Sequence, residues 1–237
     1  MVQSGGSEWV FQLEDVHYAY RNLPALAGVT LTIPVGARIA LLGANGSGKS
    51  TLLRLLDALY FPDRGRVWAF GQELSPARLA DEAFAMSFRR RVGLVFQNTD
   101  VQLFNPTVFD ELAFGPLQLG WPAERIRARI EQTLAEFDLA HLGRRSPHQL
   151  SGGERKRVAL ASVLICDPEV LLLDEPTAAL DPPSEARLLQ LLAAWAGPGR
   201  TLIAATHRWE QVRDIASSRL RLDGGRLVDP DTQQSTP

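Results

Sequence analysis

Eight consecutive residues constrain this chain more than any others: Gly43, Ala44, Asn45, Gly46, Ser47, Gly48, Lys49 and Ser50. They follow an apolar run, Ile39, Ala40, Leu41 and Leu42, and lead into Thr51 and leucines at 52, 53, 55, 56 and 59. The apolar run reads as a strand buried on both faces, and the leucines as the apolar stripe of a helix. Between them the glycines let the backbone curl until successive N–H groups and the helix N-terminus converge on one point, a cradle for phosphate. In such a cradle Lys49 reaches the β- and γ-phosphates of a nucleotide and Ser50 ligates Mg²⁺. Strand, loop and helix in that order commit the chain to an α/β architecture.

A second apolar run, residues 170–173, ends in Asp174 and Glu175. Two adjacent carboxylates at the end of a buried strand can divide the work of hydrolysis, one holding the metal's hydration shell and the other polarising the attacking water. Residues 94–96 and 202–205 are further continuous apolar runs and complete the core sheet. The pattern differs at Val29, Leu31 and Ile33, which alternate with polar residues, and a short strand at 66–70 joins them in a small antiparallel β subdomain. Ile126, Ile130, Leu134 and Phe137 follow helical spacing after Pro122, which predicts a helical subdomain at about 98–165 inserted into the core. One domain over 9–228 is expected, with polar, Gly/Ser-rich or Pro-containing ends at 1–8 and 229–237 that fray.

With 237 residues, 45% of them hydrophobic, the chain has the material for a substantial core. Its formal charge of −2 gives no bulk attraction to nucleic acid or an anionic membrane, so no nucleic-acid partner is expected. No apolar run reaches the length of a membrane span and no basic-then-apolar start resembles a secretory signal, so in any membrane process other chains do the spanning. Cys166 stands alone and cannot form an internal disulfide; it reads as a core or helix-end residue of a protein in a reducing cytosol.

Leu150, Ser151, Gly152, Gly153 and Glu154 lie downstream of the loop and shortly before the acid pair. Locally, Ser151 with Glu154 three positions on is a capping box that opens a helix. In company with the loop and the acid pair, the segment resembles the signature of the ATP-binding-cassette ATPases, and the resemblance runs from about residue 9 to residue 228. It implies a P-loop NTPase fold with a mostly parallel core sheet, ATP hydrolysis, and ATP and Mg²⁺ as cofactors. By the same resemblance Asp174 is the metal-side aspartate, Ser50 and Gln97 attend the Mg²⁺, and Glu175 is the catalytic base. His207 corresponds to the switch histidine at the γ-phosphate, Gln97 to the glutamine that senses metal and water, and Asp181 to the D-loop aspartate. Tyr20, 29 positions before Lys49, resembles the aromatic residue that stacks on adenine, with Tyr18 as its rival. Residues 151–154 are expected to face the γ-phosphate bound by a second ATPase protomer, a homodimer or a heterodimer with a paralogue, so the active unit is a head-to-tail dimer.

The stretch from Phe96 to Pro116 is similar to the ATPases of energy-coupling-factor importers, especially of the cobalt and nickel type, at Gln102, Leu103 and Phe104 and at Ala113, Phe114 and Gly115. This implies integral-membrane transporter subunits as partners, a place on the cytoplasmic face of the membrane, and cobalt or nickel as first solute. Part of the apolar group Leu103, Phe104, Phe109, Leu112 and Phe114 is expected to line a groove for a helix of such a partner. Two positions depart from the pattern: Ala179 where glycine or serine is commoner, and Arg208 where an acidic residue commonly follows the histidine. A soluble cassette ATPase without a transport role, such as that of iron–sulfur cluster assembly, carries the same motifs. A P-loop kinase would have no use for residues 151–154.

Overall fold

The computed structural model describes residues 8–228, so the frayed ends expected at 1–8 and 229–237 lie, apart from Glu8, outside the described residues. The chain begins with strands β1 (Trp9–Tyr20), β2 (Leu23–Pro34) and β3 (Arg38–Leu42), then helix α1 (Lys49–Leu56). Strands β4 (Arg64–Ala69) and β5 (Gln72–Glu73) precede helices α2 (Pro76–Leu79) and α3 (Glu82–Arg91) and strand β6 (Val92–Val95). Helices α4 (Val108–Gln118), α5 (Ala123–Glu136) and α6 (Gly152–Leu164) follow. The remainder is β7 (Val170–Asp174), α7 (Pro182–Trp195), β8 (Thr201–Thr206), β9 (Ser218–Asp223) and β10 (Arg226–Val228).

The continuous apolar runs form the centre of a six-stranded sheet in the order β10-β9-β3-β8-β7-β6. Strands β9, β3, β8, β7 and β6 are parallel, and β10 turns back antiparallel at one edge. Alternate residues of a strand point to opposite faces, and here both faces are apolar because both are covered. Ala40, Leu171, Leu173, Leu202 and Ala204 enter one core with α4, α5, α6 and α7. Their neighbours Ile39, Leu41, Val170, Leu172 and Ile203 enter a second core with α1 and the antiparallel strands.

The second sheet is antiparallel, in the order β2-β1-β4-β5. Val29 and Ile33 are buried while Thr30 and Thr32 between them are exposed, which is the alternation expected of a sheet with one wet face. The strand expected at 66–70 runs from Arg64 to Ala69, and Phe70 turns out of it with φ 50°. Helix α5 buries Ile126, Ile130 and Leu134 on one stripe, with Pro122 at its N-cap. Helix α1 stops short of its leucine pattern. Ala58 takes φ 54°, and Leu59 beyond it is 49% exposed rather than packed.

Candidate functional site

The C-terminal ends of β3 and β7 deliver the glycine loop and the acid pair to one cavity of about 440 Å³. Tyr20, Asn45, Gly46, Gly48, Lys49, Ser50, Thr51, Gln97, Asp174 and Glu175 all line it. Gly43, Ala44 and Ser47 belong to the loop without lining the cavity. Gly48, the N-cap of α1, has φ 105°, and a Cβ there would strike the carbonyl of Ala25. A Cβ at Gly43 would strike the Leu222 carbonyl and the Ser47 hydroxyl, so this glycine is required by close packing alone. The Lys49 ammonium donates to the carbonyls of Gly43 (2.8 Å) and Ala44 (3.0 Å) and lies 4.0 Å from a Glu175 carboxylate oxygen. Burial lowers the Lys49 pKa, while Glu175 and Asp174 hold it up.

Asp174 and Glu175 are both buried, and their surroundings differ. Burial raises the Asp174 pKa, a hydrogen bond with Ser50 lowers it, and Oδ1 of Asp174 has no hydrogen-bond partner. A buried carboxylate oxygen left unpaired beside a serine hydroxyl is a donor set suited to Mg²⁺, which takes one or two carboxylates and completes its octahedron with water and phosphate. Glu175 instead has company on both oxygens. Nδ1 of His207 lies 3.1 Å from Oε1, and the Thr206 hydroxyl donates to Oε2 at 3.3 Å. Glu175 also sits in the left-handed region, φ 44°, which places a non-glycine residue under strain at the head of the sheet.

The β1–β2 turn closes the other side of the cavity. The Tyr20 hydroxyl meets that of Thr51 at 3.2 Å and accepts from Arg54 at 3.3 Å. Tyr18 is stacked on Tyr60, with ring centroids 5.2 Å apart, and does not line the cavity. Of the two tyrosines, Tyr20 is the one that lines the cavity. Gln97 reaches the cavity from the loop after β6, whose course is fixed by Gln102: its amide accepts from the Phe96 N–H and donates to the Ala159 carbonyl, both at 3.0 Å.

Residues 151–154 and Asp181 are not brought to the cavity. The capping box at the head of α6 is formed: the Ser151 N–H donates to the Glu154 carboxylate at 2.7 Å and the Glu154 N–H to the Ser151 hydroxyl at 3.3 Å. That backbone hydrogen bond lowers the Glu154 pKa. Ser151 and Gly152 are exposed, so the helix N-terminus, with its partial positive charge, points at solvent. Gly153 packs against Ser184 of α7, where a Cβ would crowd the serine side chain. Asp181 is the N-cap of α7 and makes no side-chain cap.

Sequence reasoning missed Leu23, Pro24 and Ala25, the first residues of β2, in the cavity wall, since they carry no phosphate motif. It also missed Lys156, which stands between Arg155 and Arg157 in the first turns of α6. Lys156 is 6% exposed, and its spacing from Leu160 and Leu164 was the available signal, because i, i+4, i+8 positions share one helix face.

The sequence pattern of the family described as "ABC transporter" matches residues 26–178. The chain is 61% identical over 221 residues to the nickel import ATP-binding protein NikO of Rhodobacter capsulatus, covering 92% of this chain and 87% of that one. Among solved structures it is similar to cbiO1 of Clostridium perfringens, described as part of the ABC transporter complex cbiONQ. That similarity has TM-score 0.79 and 33% identity, over 94% of this chain and 88% of the other. It is also similar to the dimeric bacterial ABC transporter cassette MJ0796, with TM-score 0.82 and 28% identity over 92% and 97% of the two chains. A nucleotide cradle facing an acid pair across the mouth of a parallel sheet, within this sequence pattern, has one reading: the chain belongs to the ABC transporter family, as an ATP-hydrolysing cassette.

Proposed function

We propose that the chain is the ATPase subunit of an energy-coupling-factor-type importer, driving uptake of nickel or cobalt ions through separate membrane subunits. The observation that carries it is the division of the motifs. The cradle, Gln97, Asp174 and Glu175 share one cavity, while residues 151–154 stand outside it at an exposed helix N-terminus. Such an arrangement calls for a second protomer to complete each site, and the similarity to a nickel import protein supports the solute. Residues 9–228 act as one ATPase domain, with the helical subdomain at about 98–165.

On nucleotide entry the phosphates replace the Gly43 and Ala44 carbonyls as partners of Lys49, and the N–H groups of residues 43–51 take up the remaining charge. Tyr20 stacks on the base. Ser50, Asp174 and Gln97, which line the cavity, would hold the Mg²⁺, and the ion would supply Lewis-acid stabilisation of charge on the phosphate oxygens. The Glu175 carboxylate accepts the proton of the attacking water, and His207, already in contact with it, orients that water at the γ-phosphate. Ser151, Gly152, Gly153 and Glu154 of the opposite protomer close over the γ-phosphate, with Asp181 at the same interface.

No helix among the described residues is long and apolar enough to cross a membrane. The apolar group near Gln97 divides in two. Leu103 and Leu112 are core, whereas Phe104, Phe109 and Phe114 are 61%, 36% and 40% exposed. Phe104 and Phe114 meet edge to face with centroids 5.0 Å apart. This aromatic pair is the proposed seat for a helix of a membrane subunit, and its exposure supports a position for the chain on the cytoplasmic face of the membrane.

Uptake of radiolabelled nickel and cobalt, in cells whose only copy is wild type or Glu175→Gln, tests the reading together with phosphate release by the purified proteins. The variant should bind ATP, hydrolyse it roughly 10²- to 10⁴-fold more slowly, and abolish uptake. Wild-type hydrolysis by the variant would remove Glu175 as the base, and uptake of neither metal by the wild type would remove the solute.

A further inference from the structure

We infer that Lys156 is a positioning residue for hydrolysis: from α6 its ammonium holds the backbone of Gln97 and Glu175, locking the signature helix to the two loops that flank the reacting phosphate. The inference rests on the roles proposed above for those two residues.

Lys156 is the fifth residue of α6, about one helical turn from Ser151. Its Nζ donates to the Gln97 carbonyl at 2.7 Å, to the Glu175 carbonyl at 3.4 Å and to the Phe96 carbonyl at 3.5 Å. The ammonium thereby faces three carbonyls, 59, 19 and 60 residues away along the chain, and is closest to that of Gln97. All three belong to segments that end at the nucleotide cavity. A lysine at 6% exposure is rare unless it is paired. Burial pushes its pKa down to about 8, against the opposing attraction of Asp174 and Glu175.

The contact with Glu175 is to its carbonyl, whereas His207, Thr206 and Lys49 approach its carboxylate. With φ at 44° the residue is strained, and such a conformation persists only where its surroundings over-determine it. A donor on the Glu175 carbonyl fixes the peptide that follows, and with it the direction in which the side chain leaves the backbone. The same ammonium fixes the peptide after Gln97. Any rotation of α6 relative to the core sheet therefore pulls on both loops together, and closure of residues 151–154 on a partner's nucleotide is coupled to the geometry at Glu175 of the same chain.

The test is steady-state hydrolysis by the purified full-length chain carrying Lys156→Met, Lys156→Gln or Glu175→Gln, with ATP affinity and thermal melting measured on each. Lys156→Met keeps the length of the side chain and removes the donors. Its kcat should fall about 10- to 100-fold, the cost of an ångström-scale misplacement, with KM and ATP affinity within about threefold of wild type. Lys156→Gln retains amide donors on a shorter arm and should recover part of the lost kcat. A lowered melting temperature with wild-type kcat in Lys156→Met would reduce Lys156 to a structural residue and overturn the inference. If Lys156→Met does not fold, Lys156→Gln decides: wild-type kcat overturns the inference, and a reduced kcat at unchanged KM supports it. Wild-type hydrolysis by Glu175→Gln would instead remove the reading of the site itself, and the inference with it.

Discussion

Glu175 is gripped at both ends, by three side chains on its carboxylate and by Lys156 on its carbonyl, and the second grip has a signature in pH. Burial pushes the Lys156 pKa down to about 8 in the folded chain, against an ordinary value of about 10.5 for the exposed side chain of the unfolded chain. Between those values the unfolded state binds more protons, so stability contributed by this position rises with pH; below pH 8 both states are charged and the cost of burying the ammonium is carried in full. Urea unfolding of wild type and Lys156→Met at pH 7.5 and pH 10 should show the wild type gaining on the variant at the higher pH. A gap that is constant or moves the other way would mean that the lysine is not buried as a cation. The sequence displayed the acids openly, since Asp174 and Glu175 end an apolar run. It concealed Lys156, because a lysine between two arginines reads as solvated surface until the opposite helix face is known to be occupied.

At the scale of the element, the strand, loop and helix of residues 38–56 work because the backbone passes where a side chain cannot. Gly48 begins α1 in the left-handed region and lies against the Ala25 carbonyl of β2, so the loop is clamped between its own helix and the antiparallel sheet. Gly48→Ala adds strain and a collision together and should lower stability by about 1–3 kcal/mol, while ATP affinity drops because the N–H groups at the helix N-terminus move off the phosphates. Chemical denaturation and nucleotide titration check both; unchanged affinity would mean that the loop tolerates displacement. The loop was legible from its spacing. The clamp was not, since Ala25 is distant in sequence and carries no motif. The end of α1 was misjudged for a related reason: leucine periodicity continues to Leu59, and the left-handed turn at Ala58 overrides it.

For the whole molecule, the cavity contains the cradle and the acids but lacks residues 151–154. If two protomers complete each other's sites, turnover per protomer should climb with protein concentration until the dimer saturates. Ser151→Arg should abolish hydrolysis while ATP binding by the isolated protomer stays near wild type, since the side chain lies outside that protomer's cavity. Rate measurements across a concentration series, with sedimentation to establish the oligomer, check both; a proven monomer with a constant rate would refute the shared site. The sequence by itself determined what depends on local order: the glycine loop between a strand and a helix, the carboxylates at a strand end, the capping box, and the two-sided burial that continuous apolar runs demand. Only the tertiary structure decided what depends on residues far apart in the chain. It presented Tyr20 rather than Tyr18 to the cavity, divided the apolar group near Gln97 between core and surface, and joined α6 to the loop after β6 and to Glu175 through one ammonium. The reason is physical: periodicity reports which face of an element is buried, and what that face meets is set by the elements packed against it.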